Sequence, residues 1–67
     1  MKEKLTGYLK MIGLDQSDLA KLLEIQQNTL SFKINSKREF KRSEMIAITK
    51  LIQKKIPNVT MDEIFFE

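Results

Sequence analysis

Uncharged hydrogen-bonding side chains are concentrated in one short predicted helix, from Gln27 to Ile34. Leu30 and Ile34, four residues apart, predict the face of this helix that packs on the core. The residues on its other side are Gln27, Asn28, Ser31 and Phe32. Glutamine and asparagine can each make two hydrogen bonds with adenine in the major groove, and an aromatic edge can pack on the thymine methyl group. This pattern predicts a base-reading surface; the alternative is that short amides at a helix start only cap it.

Positive charge is concentrated at this helix and directly after it. The segment from Gln26 to Arg42 has one acid, Glu39, and five bases, which are Lys33, Lys37, Arg38, Lys41 and Arg42. Its net charge is +4, whereas the rest of the chain, with seven bases and eight acids, has a net charge of −1. Phosphates flank a DNA groove, so cations are needed beside a groove-reading helix. We therefore predict phosphate contacts from Lys37, Arg38, Lys41 and Arg42, although a basic loop can also be ordinary solvated surface.

Composition excludes most catalytic chemistry. The 67 residues include no cysteine, no histidine and only two glycines. This composition leaves no disulfide, no Cys- or His-based metal site, few nucleophile–base pairs and no glycine-rich loop around a phosphate. We expect no enzymatic activity, no metal, no cofactor and no small-molecule ligand.

The length of 67 residues predicts a single domain, residues 1–67, with a small core. A domain of this size is marginally stable, and pairing with a second copy would add buried surface. No apolar run approaches the roughly 20 residues of a membrane span, and no signal-peptide pattern opens the chain. The expectations are therefore no membrane partner and a cytoplasmic location.

Hydrophobic periodicity predicts an all-α fold of four to five short helices. The predicted helices begin at Lys2, at Gln16, at Gln27, at Lys41 or Arg42, and just after Thr60. Gly13 is suited to end the first helix in a left-handed conformation, and Pro57 to stop the fourth after Lys55. Asp15 with Asp18, and Thr60 with Glu63, predict reciprocal caps at two helix starts.

Apolar spacing also predicts which side chains form the core. In the first two helices the predicted buried stripes are Leu5, Leu9 and Ile12, widened by Tyr8 and Met11, and then Leu19, Leu22 and Leu23. In the fourth helix the stripe is Met45, Ile48, Leu51 and Ile52. Phe40 is the one apolar residue of the basic loop, and we interpret it as an anchor that holds the loop on the core.

Two segments carry a family resemblance. LDQSDLAKLLEIQQNTLSFKINSK resembles the phage repressor and Cro-type (XRE-like) helix-turn-helix proteins, and TLSFKINSK followed by FKRSEMIAI is especially similar to small phage Cro-like regulators. The resemblance spans about Leu5 to Phe66 and implies a lambda-repressor-like domain whose second motif helix enters the major groove. It also implies phosphate contacts from Gln16 and Asn35; the alternatives are a plain exposed Gln16 and a left-handed backbone at Asn35. The chain departs from the family pattern at Glu24 and Ser36, where glycine is usual.

Together these features predict a sequence-specific regulator that binds double-stranded operator DNA, as a homodimer at least on DNA. The alternative is a protein-interaction module of the same fold that modulates another repressor. Phe32 favours this alternative, because an exposed aromatic ring suits a protein groove as well as a thymine methyl group. A third reading, a hydrolytic enzyme, has no nucleophile–base pair to recommend it.

Overall fold

The computed structural model describes residues 2–35 and 38–66, with side chains from residue 4 onward. Its five helices are α1 (Lys2–Ile12), α2 (Gln16–Leu23), α3 (Gln27–Ile34), α4 (Arg42–Gln53) and α5 (Met61–Phe65). No strand occurs within the described ranges. The all-α prediction is confirmed, as are the predicted helix starts. None of these helices is long and apolar enough to cross a membrane in the part of the chain described.

Reciprocal caps set the starts of α2 and α5. A side-chain oxygen of Asp15 accepts the Asp18 N–H at 2.8 Å, and Asp18 accepts the Asp15 N–H at 3.3 Å. The Thr60 hydroxyl oxygen accepts the Glu63 N–H at 3.2 Å, and Glu63 accepts the Thr60 N–H at 3.1 Å. Both predicted capping boxes are confirmed, and each satisfies N–H groups that a helix start leaves without a partner.

Left-handed residues end α1 and α2. Gly13 has a φ of 79°, and Glu24 has a φ of 58°. After α2, the Ile25 N–H donates to the Ala20 carbonyl at 3.0 Å, the bond that closes a Schellman turn. The turn between α2 and α3 therefore keeps a conformation that favours glycine, although glutamate occupies the position.

Glu24→Gly is expected to raise the free energy of unfolding by about 0.5–1 kcal/mol. A left-handed conformation costs a side-chain-bearing residue about 1–2 kcal/mol, and the greater freedom of glycine in the unfolded chain offsets part of that gain. Urea unfolding measures the change. Gly13→Ala is the matched control, because it places a side chain at the other left-handed position and should lower stability. A Glu24→Gly protein less stable than the wild type would contradict the strain at this turn.

The helices share one core but pack in two groups. At the backbone level α3 packs mainly on α2, whereas α5 packs on α1 and α4. All five helices contribute to a single apolar cluster; its fully buried members are Leu5, Leu19, Leu30, Ile34, Ile48, Ile52 and Ile64. The predicted core faces of α3 and α4 are therefore correct at their centres.

Three predictions at the margins of helices are wrong. Apolar spacing predicts Met11 and Leu22 in buried stripes, but the two side chains are 70% and 54% exposed. At about 100° per residue, Met11 lies some 120° from Leu5, and Leu22 lies beyond the face centred on Leu19 and Ala20. Helix α4 ends at Gln53 rather than at Lys55, because the chain already turns over residues 54 and 55 ahead of Pro57.

Candidate nucleic-acid interface

Three of the four predicted base-reading residues of α3 are exposed. Asn28, Ser31 and Phe32 lie about 100° or more from Leu30 around the helix, whereas Gln27 lies only about 60° from it and is exposed because it begins the helix. Gln27 and Asn28 are exposed, Ser31 is half-buried, and Phe32 is 52% exposed. The cap residue of α3 is Gln26, and it makes no side-chain capping hydrogen bond. Within the described ranges, neither the Gln27 nor the Asn28 side chain forms the hydrogen bond that a purely capping role would require. Both amides therefore face solvent with their donors and acceptors available, and base reading remains a prediction for all four side chains.

Asn35 closes the other end of α3. Its side-chain amide donates to the Ser31 carbonyl at 2.9 Å and lies 3.4 Å from the Ser31 hydroxyl. Its φ of −84° is outside the left-handed region, so the left-handed alternative for Asn35 is wrong. The amide has a second N–H, and Asn35 is exposed, so a phosphate contact is still sterically open to it.

The loop between α3 and α4 carries exposed cations. Arg38, Lys41 and Arg42 are all exposed, and Lys37 lies outside the described residues. The loop is tied down at two points: the Arg38 N–H donates to the Phe32 carbonyl at 3.3 Å, and the half-buried Phe40 packs edge-on against Phe65 with ring centroids 5.3 Å apart. The prediction that Phe40 anchors this loop is confirmed.

Gln16 begins α2 and is half-buried. It stands between Asp15 and Asp18, whose exposed carboxylates accept each other's backbone N–H groups. An anion approaching Gln16 would therefore meet two negative charges, which oppose the attraction of the helix N-terminus. The predicted phosphate contact at Gln16 is the weakest member of the set on electrostatic grounds.

A buried ion pair that the sequence reading did not predict joins α3 to α4. The Lys33 ammonium donates to both carboxylate oxygens of Glu44, at 2.6 and 2.7 Å. Lys33 is only 5% exposed and Glu44 only 8% exposed. Lys33 therefore does not belong to the basic surface in which its charge was counted, and that surface retains four bases and one acid between residues 26 and 42.

Glu44 also bonds the start of its own helix. One of its carboxylate oxygens accepts the Lys41 N–H at 2.8 Å, so the glutamate half of a capping box is present although an ammonium at position 41 offers no acceptor in return. Burial alone would raise the pKa of Glu44. The hydrogen bonds from Lys33 and from the Lys41 backbone, with the charges of both lysines, outweigh burial and lower the pKa below its ordinary value of 4.5.

Acid is expected to remove the stabilisation that Glu44 provides. Because its pKa is lower in the folded chain than in the unfolded one, its contribution is complete above pH 4.5 and is lost as the pH falls through the lower, folded value. Urea unfolding of the wild type and of Glu44→Gln over this range isolates the effect, since other carboxylates are common to both. The stability difference should be constant above pH 4.5 and shrink below it; a difference independent of pH would show that Glu44 does not titrate this way.

No family model, curated protein or solved structure matches this chain.

Proposed function

We propose that this chain is a sequence-specific regulator that binds double-stranded DNA with α3 in the major groove. In this proposal α2 and α3 form the helix-turn-helix of a lambda-repressor-like domain, as the resemblance to phage Cro-type regulators implies. The observation that carries the proposal is the exposed amide pair, Gln27 and Asn28, at the start of a short helix whose opposite face is buried. Exposed cations follow at Arg38 and Lys41 in the next loop and at Arg42, the first residue of α4.

The proposed contacts divide into two classes. Base reading falls to Gln27, Asn28, Ser31 and Phe32. Phosphate contacts fall to Lys37, Arg38, Lys41 and Arg42, with Asn35 and Gln16 as neutral donors. The cations provide affinity that does not depend on sequence, and the amides distinguish one base pair from another.

A homodimer on DNA completes the proposal. Two copies of α3 would enter successive major grooves about 34 Å apart on a near-palindromic operator. Helix α5 has two acids, Asp62 and Glu63, and no base, which disfavours a place against phosphate. Phe66, just after α5, is 52% exposed and is a candidate contact between the two copies. A role in the regulation of transcription would place the protein in the cytoplasm.

Selection of duplexes from a random pool tests the proposal. The wild-type protein is mixed with random double-stranded DNA at low salt, and the retained duplexes are sequenced. We expect an enriched sequence with two half-sites about one helical turn apart. A pool that stays random, together with no binding in dilute buffer, would overturn the proposal.

Lys41→Ser combined with Arg42→Ser is expected to flatten the salt dependence of DNA binding. Each lost phosphate contact should reduce the slope of log affinity against log salt by about 0.9, so the pair should reduce it by about 2. Fluorescence anisotropy at several salt concentrations measures the slope. Lys54→Ser with Lys55→Ser is the matched control, because these two exposed lysines follow the far end of α4. Equal slopes for the two double variants would place the phosphate contacts elsewhere.

A protein-interaction module is the second candidate function. The 52% exposure of Phe32 favours it, because a ring of that size in solvent is suited to an apolar groove on another protein. A gel shift at low salt separates the candidates. A module that binds only protein should show no affinity for duplex DNA, whereas the proposed regulator should bind even random duplexes weakly.

A further inference from the structure

The Lys33–Glu44 pair connects the two groups into which the helices pack. Lys33 lies in the last turn of α3, which packs on α2, and Glu44 lies in the first turn of α4, which packs on α5 and α1. The two residues are eleven positions apart. The loop between them holds the exposed cations of the proposed phosphate surface. The pair therefore joins the two helix ends that this loop connects.

The Glu44 carboxylate accepts three hydrogen bonds from two donor groups in this region. Both of its oxygens accept from the Lys33 ammonium, and Oε1 also accepts the Lys41 N–H. Within the described ranges, no buried polar side-chain atom is left without a partner. Glu44 thus bonds both Lys33 near the end of α3 and Lys41, the residue directly before α4.

Direction matters because α3 is short. Gln27 lies six residues before Lys33, about 9 Å along the helix axis. A tilt of about 10° at Lys33 would therefore move Gln27 by about 1.6 Å, and binding constellations tolerate errors of only about 0.5 Å. An apolar pair at these positions would fill the space, but it has no hydrogen bonds to set the tilt.

We propose that Lys33 and Glu44 are positioning residues that hold the outer face of α3 and the cations at the start of α4 in one fixed arrangement, so that bases and phosphates are contacted together. The inference rests on the proposed DNA-binding function. It assigns Lys33 a role through Glu44, and no contact with DNA.

Lys33→Met combined with Glu44→Met tests the inference. The double variant leaves the net charge unchanged, so the general attraction to DNA is preserved, and apolar residues of similar volume commonly replace buried ion pairs without loss of stability. Two measurements are needed. Residual dipolar couplings of the free protein report the orientation of α3 relative to α4, and anisotropy gives the affinities for the selected duplex and for a random one.

We expect a changed orientation of α3 and a fall of about tenfold in the ratio of specific to random affinity, which corresponds to the loss of one bidentate base contact. Lys33→Arg, which keeps the charge and the donors, should retain most of the ratio. An unchanged orientation of α3 in the free double variant would overturn the inference, whatever the DNA affinities are. A changed orientation with an unchanged ratio would overturn the positioning role while leaving the proposed function intact.

Wild-type protein that selects no duplex would overturn the proposed function and, with it, this inference. If the double variant does not fold, Lys33→Met combined with Glu44→Gln provides the test by the same two measurements. Glutamine keeps the shape and an oxygen that can accept the Lys41 N–H, and the methionine leaves no unpaired buried charge. We expect the same change in the orientation of α3 and the same fall in the ratio of specific to random affinity. A wild-type value of the orientation or of the ratio would overturn the positioning role of the pair.

Discussion

Lys33→Met is expected to lower the free energy of unfolding by about 3–5 kcal/mol, a large part of the stability of a small domain. The methionine fills most of the space of the lysine stem, so little of the loss comes from packing. The loss arises because the Glu44 carboxylate stays buried while its bidentate partner is gone. The Lys41 N–H still bonds one oxygen but does not neutralise the charge.

Urea unfolding at neutral pH measures this loss of stability, and two further variants serve as controls. Lys50→Met removes an exposed lysine from α4 and should change stability by no more than about 0.5 kcal/mol. Lys33→Met with Glu44→Met removes both buried charges and should regain most of the loss. The deficit of the single variant should also shrink in acid, where Glu44 can take up a proton. A single variant as stable as the wild type would mean that the pair is not buried in solution.

Gln27→Ala is expected to weaken binding to the selected duplex by about 1–3 kcal/mol, or about 5- to 150-fold, if its amide pairs with adenine through two hydrogen bonds. Binding to random duplexes should hardly change, because it depends on phosphate contacts and the variant removes no charge. The folded structure should also be preserved, since Gln27 is exposed.

Anisotropy titrations with both duplexes give the two affinities. Asn58→Ala is the control, because it removes an exposed amide from the turn before α5, and Asn58 is not among the proposed DNA contacts. A loss that is equal for selected and random duplexes would remove Gln27 from the base-reading set. If the loss is specific to the selected duplex, the base that Gln27 contacts can be identified, because the variant should tolerate substitutions of that base that the wild type rejects.

Local signals explain why the helix bounds could be predicted. The caps at Asp15 and Thr60 and the turn at Gly13 each depend on residues within about five positions. The centre of each buried face follows from spacing in the same way. The burial of residues at the margin of a face does not follow from spacing. Leu22 or Met11 is buried only if a neighbouring helix packs over it, and periodicity within one helix does not show where the neighbouring helices lie.

The Lys33–Glu44 pair was missed for a different reason. Its partners are eleven residues apart and on different helices, so no local pattern connects them. One signal was present: at about 100° per residue, Lys33 lies only about 60° from Leu30 and thus on the core side of α3. A lysine at such a position needs a buried acid, and Glu44 lies on the next helix.

The sequence predicts which side chains have the chemistry to bind DNA, but not which base or phosphate each would contact. The exposure of Asn28 and Phe32 follows from the same periodicity that buries Leu30 and Ile34. Gln27 lies only about 60° from Leu30, so its exposure follows instead from its position at the start of the helix. Which bases or phosphates these side chains would contact in the proposed complex depends on the DNA, which the chain alone does not specify. Asn35 illustrates the difference: the resemblance to Cro-type regulators implies a phosphate contact, and its amide also donates to the carbonyl of Ser31.

Heat should affect the buried charges of Lys33 and Glu44 differently from the apolar core around them. Hydration of ions becomes less favourable as water warms, so the penalty for withdrawing this pair from solvent falls with temperature. Stabilisation by apolar surface reaches a plateau instead. Near the melting temperature, the ion pair between α3 and α4 therefore contributes a larger share of the stabilisation of the fold than it does at low temperature.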